Sequence, residues 1–200
     1  MLLYSILLPI LLISFDPPPT ESPVVQNLRY ILLHDGKQIG QVKARKVTQG
    51  NEVTYETETS MTIRVVLNQD IDNSTFATFQ NGIMISSRSK SFFNNKLHHT
   101  CTTQWKGRYY EIVRDNNKST LGRQVNYCGA MLYFKEPIGV SLAYSELAGL
   151  DNKINKIGDH IYTLTDSKSK KKNKYWYRGG ILEKAYINHT LLDVEVRRAY

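Results

Sequence analysis

Val53-Thr54-Tyr55-Glu56-Thr57-Glu58-Thr59-Ser60-Met61-Thr62-Ile63-Arg64-Val65-Val66-Leu67 is the stretch whose reading decides the fold. Val53, Tyr55, Thr57, Thr59, Met61, Ile63, Val65 and Leu67 share one parity, and Thr54, Glu56, Glu58, Ser60, Thr62, Arg64 and Val66 share the other. A period of two places the first set on one face of a strand and the second on the opposite face. The charged members sit on one parity only, so one face is buried and the other is wet, the pattern of an antiparallel sheet.

The same alternation dominates from residue 26 onward, interrupted at short intervals by Asp35-Gly36, Gly50-Asn51, Asn81-Gly82, Asn94-Asn95, Lys106-Gly107, Asp115-Asn116-Asn117 and Gly179-Gly180. Asn-Gly and Asp-Gly supply the positive φ angles that tight hairpins need, so the chain reads as hairpin after hairpin. Strands are predicted at 27–34, 38–48, 52–67, 74–80, 83–93, 96–105, 108–114, 119–127, 159–165, 173–179, 181–188 and 191–198. A meander of this length curls, because sheet twist and unpaired edges both favour closure. The predicted fold is all-β, an antiparallel up-and-down meander curled into a barrel or half-barrel. Alternation stops at 128–152, where Gly129–Phe134 and Ser141–Leu147 carry helix-compatible residues separated by Pro137 and Gly139. That insertion is predicted to hold one or two short helices or ordered turns over a sheet face or a barrel end.

With 200 residues, 41% of them hydrophobic, the chain buries a core without metals or many disulfides, which excludes a stapled miniprotein and a disordered chain. Leu2–Phe15 is apolar except for Tyr4, Ser5, Pro9 and Ser14, too short to span a bilayer comfortably but long enough for a secretory leader. No Lys or Arg precedes it and no small-x-small cleavage site is evident, so an uncleaved anchor stands beside a cleaved signal peptide. The domain plan is then a leader or anchor at 1–15, a Pro-rich linker at 16–23 and one β domain at 24–200. Cys101 and Cys128 are the two cysteines. If 96–105, 108–114 and 119–127 form a meander, a middle strand separates them by two spacings of about 4.8 Å. A bridge needs Cα atoms within about 7 Å, so two separate buried thiols are expected over a disulfide.

Leu132-Tyr133-Phe134-Lys135-Glu136-Pro137, Ser145-Glu146 with Gly149, and Asn173, Tyr175, Tyr177 and Gly179 together resemble the signature of an uncharacterised family of exported bacterial proteins. Leu28-x-Tyr30 and Gly36-x-x-Ile39-Gly40 are similar to its first hairpin. The resemblance covers nearly the whole chain after the leader and implies an exported antiparallel β domain without assigned activity. One departure is the loop Asp166-Ser167-Lys168-Ser169-Lys170-Lys171-Lys172, where that family has a short turn. More loosely, the curled meander is similar to periplasmic lipoprotein-carrier half-barrels and lipocalins, a likeness of fold that carries no function.

Glu136 and Glu146 are the carboxyl groups to follow, since two carboxyls across a cleft perform acid–base chemistry. The plainer reading has Glu136 bonding backbone amides at the Pro137 turn and Glu146 holding a short helix in place. His34, His98, His99, His160 and His189 show no metal-ligand spacing, and His98 and His99 are expected on opposite faces of a strand. No metal or other cofactor is implied. Nucleophile-elbow, P-loop and dinucleotide fingerprints are absent from the sequence.

Lys168, Lys170, Lys171, Lys172 and Lys174 precede Tyr175-Trp176-Tyr177-Arg178 in a chain of net charge +8. Two readings stand: a solvated hairpin loop, or a patch for an anionic envelope surface. Export argues against nucleic acid as a physiological partner. A concave aromatic face would take an apolar or amphipathic small molecule, with Tyr133, Glu136, Tyr144, Glu146, Tyr175 and Trp176 as expected ligand-binding residues. The leading expectation is thus a monomeric, non-enzymatic binder or carrier. A hydrolase using Glu136 and Glu146 and a structural adaptor docking through strand edges are the alternatives.

Overall fold

The computed structural model describes residues 22–64, 68–188 and 192–200. The predicted leader at 1–15 and linker residues 16–21 lie outside them. Among the described residues, fourteen antiparallel strands form one sheet. They are β1 (Val24–His34), β2 (Lys37–Gln49), β3 (Glu52–Arg64), β4 (Asn68–Gln80), β5 (Ile83–Phe93), β6 (Lys96–Trp105), β7 (Tyr110–Arg114), β8 (Asn117–Leu121), β9 (Leu142–Ser145), β10 (Leu150–Gly158), β11 (Ile161–Thr165), β12 (Lys172–Arg178), β13 (Ile181–Asn188) and β14 (Asp193–Ala199). The sheet order β8-β7-β6-β5-β4-β3-β2-β1-β14-β13-β12-β11-β10-β9 is two meanders joined where β1 pairs with β14.

Hairpin chemistry decides the registers. Asn81 and Gly82 turn at φ 50° and 77°, and Asp35, Asn94, Asn95, Asp115 and Asn116 are also left-handed. These are the residues whose short side chains or missing Cβ tolerate that region. Each register keeps the apolar parity inward, so Tyr30 opposes Val42, Ala44 opposes Thr57, and Ala185 opposes Val196.

The sheet is not closed, and its two ends overlap. Tyr144 on β9 and Thr103 on β6 are both buried and share a 2.7 Å hydrogen bond between hydroxyls. A Cβ placed on Gly149 would sit 2.9 Å from Ile112 and 3.4 Å from the Cys101 sulfur. Arg114 Nε donates to the Leu147 carbonyl at 3.1 Å. The β9–β10 hairpin therefore packs onto the concave side of β6 and β7, and the sheet rolls up with one margin inside the other. This manages the exposed-edge problem without edge-to-edge closure.

The chain after β8 enters the hollow. Val125 accepts from the Met84 amide at 2.9 Å, Tyr127 accepts from the Tyr144 amide at 3.0 Å, and a 3₁₀ helix follows at Gly129–Tyr133. Val125, Tyr127, Cys128, Ala130, Met131, Leu132 and Phe134 are buried, so this segment is a plug within the rolled sheet.

Two sequence expectations are corrected here. The strand predicted to 127 ends at Leu121, because 122–127 stays extended with Val125 and Tyr127 inward but joins no named strand. Ser141–Leu147, expected as a short helix or ordered turn, holds β9 and its turn, and β10 starts within the insertion and runs beyond it to Gly158. Ala143 and Tyr144 are both buried because the overlapped hairpin is covered on both faces, which erases the alternation that marks a half-buried strand. Cys101 and Cys128 are free buried thiols. Cys128 lies at the start of the 3₁₀ helix and not on a third meander strand, so the expected separation has a different cause.

Candidate functional site

The hollow is filled unevenly. At one end Phe134 of the plug packs 5.8 Å from the Tyr55 ring, which meets Phe79 edge-on at 5.7 Å. Beside this packed end lies a cavity of about 300 Å3. One wall is polar: Thr57 and Thr59 of β3 stand opposite Thr75 and Asn73 of β4. The facing wall is largely aliphatic, with Leu164, Leu182, Ile187 and Val196 from β11, β13 and β14. Gly129–Ala130 and Leu132–Tyr133 of the plug complete it.

The polar wall continues under β5, where Thr75 Oγ1 and Ser89 Oγ are 2.9 Å apart. Asn73 Oδ1 is buried and has no hydrogen-bond partner in the structure. Buried carbonyl oxygens are ordinarily paired, so this one lacks the donor that its burial calls for.

Of the expected ligand-binding residues, Tyr133, Tyr144, Glu146 and Tyr175 line the cavity. Glu136 and Trp176 do not, which corrects the expectation for both. Trp176 has the opposite parity to the buried Tyr175 and Tyr177, and on the outer face it lies under Lys174 Nζ at 4.8 Å and meets Tyr186 edge-on. Glu136 is buried where the plug leaves the hollow. Its carboxyl accepts the Tyr162 hydroxyl at 2.7 Å and faces His160 Nδ1 at 3.0 and 3.1 Å, while its backbone N–H donates to Gly180. The amide-bonding role expected of it at the Pro137 turn is replaced by these side chains, which come from the β10–β11 turn and β11.

Glu146 does what the plainer reading assigned. Oε2 accepts the Gly129 N–H at 3.0 Å and Oε1 the Ala130 N–H at 2.9 Å, capping a 3₁₀ helix whose own N-cap residue, Cys128, supplies no side-chain cap. Burial pushes the Glu146 carboxyl up from its ordinary range, and hydrogen bonds from the Cys128 thiol and the two amides pull the other way. Gly129 has no room for a side chain, since a Cβ there would lie 2.7 Å from Glu146 Oε2. Among the described residues the two carboxyls share no hydrogen-bond partner: Glu146 holds the start of the 3₁₀ helix and Glu136 meets Tyr162 and His160.

Tyrosine hydroxyls clamp the plug. Tyr30 donates to the Leu182 and Tyr133 carbonyls at 3.1 and 3.2 Å; Tyr110 donates to Met84 at 2.7 Å and accepts the Val125 N–H at 3.2 Å. Burial lifts Tyr133 to about 12, with the Glu146 charge adding to it, and Tyr55 to about 12, with Cys128 adding. These hydroxyls therefore remain protonated donors at neutral pH.

His98 and His99 are side by side, ring centroids 4.1 Å apart, because a bulge leaves His98 as the extra residue between His99, opposite Ser91, and Leu97, opposite Phe92. The expectation of opposite faces is overturned by that bulge. Among the described residues no group of three or more His, Cys, Asp or Glu is placed to hold a metal ion.

The lysine-rich loop is an ordered hairpin. The Asp166 carboxylate accepts the Lys168 and Ser169 N–H groups, and Lys170 Nζ reaches the Ser167 carbonyl. Lys168, Lys170 and Lys172 are exposed. Lys174 and Lys184 continue the charge across the outer face, Lys184 Nζ lying 4.4 Å from the Tyr186 ring.

The family model described as Domain of unknown function (DUF6134) matches residues 30–199. The chain belongs to that family. No curated protein matches this DUF6134 chain. Among solved structures it is similar to the crystal structure of a beta-barrel-like protein of Domain of Unknown Function DUF1849 from Brucella abortus, at 13% identity and a TM-score of 0.48 over 86% of this chain and 95% of that one. Sequence reading missed Asn73, Thr75 and the cavity-lining position of Thr57 and Thr59. The one available signal was small polar residues on the inward parity of an otherwise apolar strand.

Proposed function

We propose that this DUF6134 domain is a non-enzymatic binder of a small amphipathic molecule, held in the cavity between β3–β4 and β11–β14. The observation that carries this reading is the cavity's two-sided lining, threonine and asparagine on one wall and aliphatic side chains on the other. Such a site gains affinity by burying apolar area and fixes orientation with a few polar groups. The hydrolase alternative has less support, because Glu136 and Glu146 are each engaged in holding the plug. Action outside the cytoplasm, in the periplasm or cell envelope, is part of the proposal and rests on the apolar run Leu2–Phe15.

Native mass spectrometry of protein purified from its own source, followed by organic extraction, tests the reading. The expected result is an added small-molecule mass that disappears on denaturation and is absent from Thr59→Trp, whose indole fills the cavity. A clean unliganded mass for the unsubstituted protein overturns it.

A second reading concerns the outer face. Lys174 and Lys184 over Trp176 and Tyr186, continuous with the exposed lysines of the hairpin, support docking on an anionic envelope surface.

A further inference from the structure

Three features of the cavity bear on what it takes, given that it takes a ligand at all. First, among the described residues its lining holds no Lys, Arg or His, and its one ionisable acid is Glu146. A protein of net charge +8 thus presents no cation to whatever enters, only a carboxyl already held by the Gly129 and Ala130 amides. An anionic head placed there would lose its hydration and gain no counter-charge, a penalty no apolar contact offsets cheaply.

Second, the unpaired acceptor is on the polar wall. Asn152 Oδ1 accepts the Ser167 N–H at 3.0 Å and Asn173 Oδ1 accepts the Asn188 N–H at 2.9 Å, whereas Asn73 Oδ1 has no partner. Thr59 stands directly across the β3–β4 ladder from Asn73. A side-chain carbonyl beside a hydroxyl matches a group that both donates and accepts, which is what an alcohol does. Third, a volume of about 300 Å3 is at the small end of ligand pockets, room for a single short chain or ring and not for a diacyl lipid.

We propose that the cavity is selective for small, neutral, hydroxyl-bearing amphiphiles, with the hydroxyl donating to Asn73 Oδ1 beside Thr59, the apolar body on Leu164, Leu182, Ile187 and Val196, and anionic amphiphiles rejected. The selectivity rests on the binding reading above and adds its chemistry. It runs against the protein's overall charge, which by itself would favour fatty-acid carboxylates.

Calorimetric titration of the intact protein with 1-octanol and with octanoate at neutral pH separates the two claims. The tails are alike and the heads differ in charge. Octanol is expected to bind at least about tenfold more tightly, and the same-shape substitutions Asn73→Leu and Thr59→Val each to weaken octanol by about three- to tenfold, the worth of one hydrogen bond. Asn73→Leu is also expected to melt no lower than the unsubstituted protein, since it removes a buried unpaired acceptor. Octanoate binding as tightly as octanol, or octanol affinity unchanged in both variants, overturns the selectivity and leaves the binding reading standing. Failure of both probes to bind overturns the two together.

Discussion

Glu146 shows how a single side chain replaces a missing local cap. The first amides of a helix need acceptors, and the residue in the cap position here, Cys128, offers none. A carboxyl from the β9–β10 turn takes two of them. Glu146→Gln keeps one oxygen and turns an amide group against the remaining N–H, so a loss of about 1–3 kcal/mol in unfolding free energy is expected in urea titration. His160 is the residue that makes the plug's exit pH-dependent. Its hydrogen bond to Glu136, reinforced by Asp159 and Glu136 charge and opposed by Lys156, raises its pKa above the ordinary 6.5. The protonated imidazole is the form that pairs, so its contribution is full below the ordinary value and is lost as pH rises through the raised one. His160→Gln should therefore lower the urea midpoint at about pH 5.5 and have a smaller effect at about pH 9. Equal effects at both would remove the ion pair from the account.

Among elements, the plug at 122–141 organises the rest. Its Val125, Tyr127, Cys128, Ala130, Met131, Leu132 and Phe134 are buried, yet it has little regular structure, so its polar backbone is satisfied piecemeal by Met84, Tyr144, Gly180 and side-chain hydroxyls. The abundance of tyrosine is explained there: an aromatic ring fills the hollow and its hydroxyl reaches a plug carbonyl or amide. Tyr110→Phe strips the acceptor from Val125 N–H and the donor from Met84. Hydrogen exchange at Val125 is expected to quicken by at least about tenfold relative to the unsubstituted protein, with a stability loss of about 1–3 kcal/mol. Between β2 and β3 the constraint is steric. A Cβ on Gly40 would lie 2.2 Å from the Ser60 carbonyl, so the close pairing there admits glycine alone.

At the scale of the molecule, the rolled sheet has an amphipathic hollow inside and a basic, aromatic outer face, and the two are chemically opposed. Reversing Lys168, Lys170, Lys172, Lys174 and Lys184 to Glu changes the outer face without touching the cavity. Cosedimentation with vesicles containing an anionic phospholipid is expected to fall by at least about tenfold at low salt. Unchanged cosedimentation of that variant would remove the docking reading.

Much of this architecture is legible in the chain. Strand parity and hairpin residues are local properties, and Val53 to Ile63, Asn81-Gly82 and Asp35-Gly36 behave in the fold as their chemistry dictates. The inward lining of the hollow, the half-buried Thr57 and Thr59 included, follows from that parity. What the sequence leaves open is which long-range surfaces meet. Nothing local distinguishes a strand covered on both faces, β9, from a helix, or an extended plug at 122–127 from a further strand. Nor can Glu136 and Glu146 be separated, or Trp176 put outside while Tyr175 faces in, before the direction of curl is known. The overlap of the sheet margins decides these points, because it brings Tyr144 to Thr103 and Glu146 to the plug across the sequence, and with them leaves Asn73 in the cavity wall with a buried, unpartnered carbonyl.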